Sequence, residues 1–429
     1  MAIRAAFQVY QWLWSLAIPF LRRNHRLKVG FDQRVLREQP KHADLWIQAA
    51  SVGESFLARE ILKELDPPEP LRILLTTYTS QGMEILEQCR NQARRDNSRL
   101  LIQTAYFPFD SPPLIEQAVS AVRPRLMLLL ESELWPGLLR ACKHHRIKVL
   151  VANARMTARS LNRYRVWPAL WKYLRPDEIL AISPENAANF AALFGKEGVE
   201  TVPNIKFDRI TDQPPRPAAE NPLARLFPPG SRPIILGSVR EQEEADVEKM
   251  IRAILDHSKQ DNQPVVVALF PRHMHRIKKW ETVLENLGAA WYLRSRVTTP
   301  VQGNSIILWD TMGEMLPAFE LGRAAFIGGS LAPLGGQNFL EPLTCGLKPV
   351  IGPHWSNFYW VGQEIIDQRL VLQAQNWREA ADLLLQCSAQ PPRREQTRQE
   401  ILTYVKTRQG GTAKTCAVIH RLLHESKKP

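Results

Sequence analysis

Twelve short apolar runs, arranged in two sets of six, constrain this chain more than any other feature of it. The first set is 44–50, 72–77, 100–105, 125–130, 148–153 and 178–182. Each is followed by a stretch with helical spacing, such as Phe56, Leu57, Ile61, Leu62 and Leu65. The second set is 233–237, 265–270, 290–293, 305–309, 324–327 and 348–351. Strand-length runs alternating with helices specify a parallel sheet covered on both faces. Between the sets, residues 211–230 carry six prolines and no periodicity, the signature of a linker. The expectation is therefore an α/β chain with two Rossmann-like domains, 31–210 and 231–392, facing a central cleft. Ligands of such sheets bind beyond the carboxyl ends of the strands. A helical tail over 393–429, ending basic, is expected to follow.

Residues 1–30 form a separate segment. Ala5 to Leu21 is mostly apolar, interrupted by Gln8 and Gln11, and Arg22, Arg23, Arg26 and Lys28 come directly after. A spanning helix takes roughly 20 residues, so the segment is long enough either to span or to lie in the interface as an amphipathic helix. No small-residue cleavage site follows it, and two arginines stand where one would be expected. We read it as a membrane anchor with the body of the protein in the cytoplasm. The excess of 56 Lys and Arg over 43 Asp and Glu, a formal charge of +13, suits an anionic partner. Five scattered cysteines with no C-x-x-C fit a reducing compartment and argue against a zinc cluster. His273 and His275 do not share a helical face, His144-His145 reads as part of a basic helix, and D-x-D is absent. Metal-free chemistry is expected.

Candidate site residues recur where strands end. Ser51-Val-Gly-Glu54, Ser238-Val-Arg-Glu241, Thr311-Met-Gly-Glu314 and Asn338-Phe-Leu-Glu341 each read as a capping residue with glutamate three positions on. Gly53 and Gly313 then fall in the first helical turn, where glycine costs roughly 1 kcal/mol relative to alanine, which points beyond capping alone. In 324–354, the pairs Gly328-Gly329 and Gly335-Gly336 precede a helix expected over 338–345, an arrangement that brings an anion onto free backbone N–H groups. Arg272 follows a buried strand, Lys206 closes the first half, and Glu131 and Glu133 end its fourth strand. All are suited to a charged substrate.

Taken in order, several segments resemble one family, the bacterial 3-deoxy-D-manno-octulosonic acid (Kdo) transferases of lipopolysaccharide assembly. They are Ala49–Glu54, Glu131–Pro136, Asn153–Ser160, Asn204–Asp208, Gly237-Ser238 with Glu243-Glu244, Pro271–His273, Asp310–Glu314, Gly335–Pro342 and Gly352–His354. Two departures stand out: Val239 where Thr is usual, and Phe339 where Pro is usual. The resemblance implies a GT-B glycosyltransferase that is metal-independent and works without a cofactor. It implies CMP-Kdo as donor and the lipid A precursor as acceptor, at the cytoplasmic side of the inner membrane among anionic lipids. It further implies Glu54 as general base, with Glu131 or Glu133 and Lys206 assisting. Ser238, Pro271, Arg272, Met312, Gly313, Glu314, Asn338, Phe339, Leu340 and Glu341 would hold CMP. The alternative is another GT-B transferase, or a nucleotide-sugar epimerase, using a UDP- or GDP-sugar. A nucleic-acid partner is not expected, because aromatic residues are not interleaved with the basic runs.

Overall fold

The computed structural model of the chain describes residues 2–96, 99–210, 212, 214–260 and 264–426, without the side chains of residues 2, 25, 26 and 218. The basic end expected at 427–429, the side chain of Arg26, and positions 211 and 213 of the proline-rich stretch lie outside the described residues. The chain divides into two compact units, Met1–Arg209 with Arg408–Pro429, and Ile210–Thr407.

The first unit is a parallel sheet of β1 (Leu45–Gln48), β2 (Leu71–Thr77), β3 (Leu100–Tyr106), β4 (Leu126–Leu130), β5 (Lys148–Ala154), β6 (Glu178–Ala181) and β7 (Val199–Thr201). The spatial order is β3-β2-β1-β4-β5-β6-β7. Its strands are apolar on both faces because both are covered. Trp46, Leu74, Met127, Leu129 and Val151 pack into one core layer. Leu45, Ile47, Ile73, Leu75, Leu128 and Leu150 pack into the other. The chain winds outward from β1 to β3 and then returns to lay β4 on the other side of β1. That reversal leaves a crevice at the carboxyl ends of β1 and β4.

The second unit repeats the scheme with β8 (Arg232–Val239), β9 (Val265–Pro271), β10 (Trp291–Leu293), β11 (Ser305–Leu308), β12 (Ala324–Ile327), β13 (Pro349–Ile351) and β14 (Leu372–Gln373). The order is β10-β11-β9-β8-β12-β13-β14, so the reversal falls between β8 and β12. All twelve expected strands are present. The additional β7 and β14 are edge strands of three and two residues, too short for any periodicity to register. The proline-rich stretch packs on this unit, with Leu223 and Leu226 wholly buried and Asn221 Nδ2 donating to the Pro317 carbonyl at 2.9 Å.

The N-terminal helix, Ala2–Leu21, lies against the first unit. Phe7 is buried in its core, and Tyr10 packs against that core half-buried. The opposite side is bare: Val9, Trp12, Leu13, Leu16 and Phe20 are each more than half exposed. Their spacing (i, i+3, i+4, i+7, i+11) puts them on one stripe. Among the described residues no helix is long and apolar enough to cross a membrane, so the spanning form of the expected anchor has no support here. The reason is visible in the helix itself, where Arg4, Gln8, Gln11 and Ser15 interrupt the apolar run.

After residue 393 the chain forms two helices, one in each unit. Arg394–Lys406 belongs to the second unit and Gly411–Glu425 to the first. Cys416, Ile419 and Leu422 of the latter are buried in the core beneath β1 and β4.

Candidate active site

Three carboxylates meet at the reversal point of the first sheet. Glu54 is carried there by the turn after β1. Ser51 caps the helix 52–64 by accepting the Glu54 N–H, while the Glu54 carboxylate accepts the Ala50 N–H at 2.6 Å and the Ser51 hydroxyl at 3.0 Å. Glu131 and Glu133 are carried by the turn after β4. Glu131 has φ +55°, a left-handed conformation that a side-chain-bearing residue adopts at some cost and that concentrates at functional sites. Asn153, at the end of β5, has φ +52°, and its side-chain oxygen accepts the Ile205 N–H at 3.0 Å. That bond sets the short 3-10 turn from which Lys206 reaches Glu131 Oε1 at 2.6 Å. Arg155 approaches the other oxygen of Glu131 at 3.8 Å. The Trp135 indole donates to Glu133 Oε2 at 2.7 Å.

A carboxylate in the first turn of a helix is ordinarily held low by the helix dipole. Here burial wins. Glu54 is only 8% exposed, and burial, followed by repulsion from Glu133 and Glu131, raises its pKa to about 8 against the hydrogen bonds from Ala50 and Ser51. Burial raises Glu133 as well, with Trp135 and Gln48 pulling it back and Glu131 adding to the rise. The cluster therefore contains a carboxyl poised to exchange a proton near neutral pH, next to a cation, Lys206, fixed by its partner. The other end of the Asn204–Asp208 motif is structural. Asp208 accepts the Gly410 and Thr412 N–H groups and caps the C-terminal helix.

In the second unit the expectation of free amides after the glycines is corrected. Glu243, 1% exposed, lies in the crevice between β8 and β12 and accepts the N–H groups of Arg240, Gly329, Ser330 and Leu331. Gly336 and Gln337 donate to the Gly329 and Gly328 carbonyls. The loop has thus taken up an anion of its own. Gly328 is required by this arrangement, since a Cβ there would lie 2.4 Å from the Glu243 carboxylate.

Of the four expected capping boxes, only Ser51–Glu54 has a serine or threonine capping the helix start. Glu314 is held instead by Arg294, Trp309 and Thr311 at 2.8, 2.8 and 2.6 Å. The helix expected over 338–345 is shorter, Leu340–Thr344, with Asn338 bonded to Glu341 at 2.8 Å. Ser238 is nearly buried, with φ +57°. Pro271 and Leu340 are buried, and the Phe339 ring lies in the core beside Trp355 and Phe358. Arg272, Met312, Gly313 and Asn338 are exposed, and Arg272 has no ion pair among the described residues.

Glu116, His144 and His145 place three ligand atoms within 4.8 Å of one another. The carboxylate comes from the neighbouring helix, 112–122, which sequence spacing does not relate to the histidines. The grouping sits at the far end of helix 136–144, roughly 12 Å along that helix from the Glu131–Pro136 turn.

Residues 24–209 match the family described as 3-deoxy-D-manno-octulosonic-acid transferase (kdotransferase). The chain is 30% identical over 384 residues to the 3-deoxy-D-manno-octulosonic acid transferase of Bordetella pertussis, covering 88% of this chain and 86% of that one. It is 30% identical over 375 residues to the enzyme of the same name from Haemophilus influenzae, covering 86% and 84%. Among solved structures, the UDP-GlcNAc 2-epimerase of Neisseria meningitidis bound to UDP-GlcNAc aligns with a TM-score of 0.51 at 12% identity, over 89% of this chain and 99% of that one. At that identity the likeness shows the fold alone.

Proposed function

This chain belongs to the family of 3-deoxy-D-manno-octulosonic acid transferases and is a glycosyltransferase of lipopolysaccharide synthesis, and we propose that it moves Kdo from CMP-Kdo to a lipid A precursor with Glu54 as general base. The observation that carries this reading is a buried carboxylate whose pKa is raised to about 8 beside two further carboxylates and an anchored lysine. Glu54 takes the proton from an acceptor sugar hydroxyl as that oxygen bonds to the anomeric carbon of Kdo. The bond from that carbon to the phosphate oxygen breaks on the opposite side, and CMP leaves with the electron pair. Inversion follows from the single displacement.

Glu133 and Glu131 keep Glu54 basic by repulsion, while Lys206, steadied by Glu131, offers positive charge to the Kdo carboxylate or the leaving phosphate. Arg272, exposed at the end of β9 and without an ion pair among the described residues, is the group for the CMP phosphate. Ser238, Met312, Gly313, Glu314, Asn338 and Glu341 surround the cytidine, and Pro271 shapes the turn that presents Arg272. The N-terminal helix lies in the cytoplasmic interface of the inner membrane. Its bare stripe enters the acyl region, and exposed Arg22, Arg23 and Lys28 sit among anionic head groups.

Incubating purified protein with CMP-Kdo and a lipid A precursor, and weighing the products by mass spectrometry, tests donor and acceptor together. A mass increment of one or more Kdo residues is expected. Competition by UDP or GDP in place of CMP would overturn the donor assignment. Glu54→Gln is expected to lower turnover by about 10²–10⁴-fold, and near-normal turnover removes Glu54 from the role.

A further inference from the structure

Asp110 belongs to none of the groups described above, yet it is wholly buried and all three of its bonds point to one task. It follows β3, and its carboxylate accepts the Gly137 N–H at 2.7 Å and the Leu138 N–H at 2.8 Å. These are the first amides of the helix Pro136–His144. That helix has no side-chain cap of its own, and Pro136 has no N–H to offer. Gly137 permits the approach, because a Cβ there would meet the Asp110 carbonyl at 2.7 Å.

The third donor comes from far away in sequence. Tyr10 of the N-terminal helix gives its hydroxyl to Asp110 Oδ2 at 2.8 Å. The same helix face stacks Trp14 on Phe109 at 5.8 Å between ring centroids and sets Phe7 under Arg140.

What precedes this helix start is the Glu131–Pro136 turn. The turn is short, fixed at one end by β4 and closed internally by the Leu134 N–H to the Ser132 carbonyl. Trp135, the last residue before the helix, holds Glu133 through its indole and rests against Tyr78 and Phe107. Placing the helix start therefore places Trp135, and Trp135 places Glu133.

We propose that the Tyr10–Asp110 pair is a positioning device: the docked N-terminal helix holds the start of helix 136–144 and through it the Glu133 carboxylate, so that this helix serves turnover as well as attachment. The proposal rests on the assignment of Glu133 to the reacting centre. Removing the Tyr10 hydroxyl leaves Asp110 with two donors and lets the turn relax. Substrate sites are untouched, so the loss falls on kcat.

The test uses the full-length protein in detergent with saturating acceptor, comparing wild type, Tyr10→Phe, Glu133→Gln and the double variant. Tyr10→Phe is close to isosteric, and its melting curve serves as the folding control. The expected result is a fall in kcat of about 10-fold, less than the about 10²-fold that a 1 Å misplacement costs, with KM unchanged. The Glu133→Gln background should show no further fall, because the residue being positioned is already disabled. Equal losses in both backgrounds, a loss confined to KM, or no loss at all overturns the proposal and leaves the role of Glu133 standing. A Glu133→Gln enzyme with wild-type turnover overturns that role first, and the proposal with it. Asp110→Asn repeats the test from the other partner and should also lower kcat without changing KM.

Discussion

Lys206 Nζ lies 2.6 Å from Glu131 Oε1, joining the turn after β7 to the turn after β4 at the point where the first sheet reverses. Both side chains are largely screened from water, with 20% and 16% exposure. An ion pair in such a place is weak as a source of stability but severe to break, since the surviving charge is left uncompensated. Lys206→Met should therefore leave Glu131 free to repel Glu54. We expect kcat/KM to fall by about 10-fold or more, and the acid limb of its pH profile to move to higher pH, as measured by initial rates from pH 6 to 10.

The pH dependence of the unaltered enzyme follows from Glu54. With Glu54 as the proposed base, its ionised form is the active one, and because its pKa is raised to about 8, kcat/KM should rise with pH up to about 8 and then level off. Glu133 is the first neighbour pushing that value up, after burial itself. Glu133→Gln should accordingly shift the limb to lower pH. A limb that stays in place would show that the two carboxylates do not interact.

Stability should run the other way. The folded protein holds the Glu54 proton more tightly than the unfolded chain, whose glutamates titrate near 4.3. The contribution of Glu54 is therefore fully present below that pH and is lost as pH rises through about 8. Glu54→Gln removes this dependence. Melting temperatures of the two proteins should converge at pH 5 and separate by pH 9, with the variant higher at alkaline pH.

Glu243 offers a test in the second unit. Its carboxylate accepts four backbone N–H groups, and Glu243→Gln would turn an amide NH2 toward some of them. The cost of leaving buried donors unsatisfied is about 1–3 kcal/mol, visible as a lower melting temperature. Because the Gly328–Leu331 loop is ordered by this carboxylate, the KM for CMP-Kdo should rise as well.

The bare stripe of the N-terminal helix predicts lipid binding. Full burial of a large apolar side chain is worth about 1.5–3 kcal/mol. Replacing Trp12, Leu13 and Phe20 together with serine should weaken sedimentation with anionic vesicles by about 10²-fold or more. Tyr10 and Trp14 point the other way and are left intact, so turnover on detergent-dispersed acceptor should persist.

Much of this molecule is legible in one dimension. Twelve strands, the two-unit plan and the ordered motifs could be read directly, because a strand buried on both faces must be a continuous apolar run and strand ends in such sheets carry the chemistry. The sequence placed Glu54, Glu131 and Glu133 at such ends and Lys206 at the close of the first half. It did not indicate that Glu131 and Asn153 adopt left-handed backbone, because that conformation is imposed by the contacts around them. Nor did it distinguish Glu243 from a substrate ligand. A glycine loop with open amides and one filled by the protein's own carboxylate have the same pattern.

Local order thus determined the elements, since hydrophobic periodicity and turn chemistry act over a few residues. Tertiary structure alone decided which charges share a site and which way their pKa values move. Burial and Coulomb interaction depend on distance in space, so the rise of Glu54 to about 8 and the bond from Tyr10 to Asp110, one hundred residues on, exist only once the chain has closed around them.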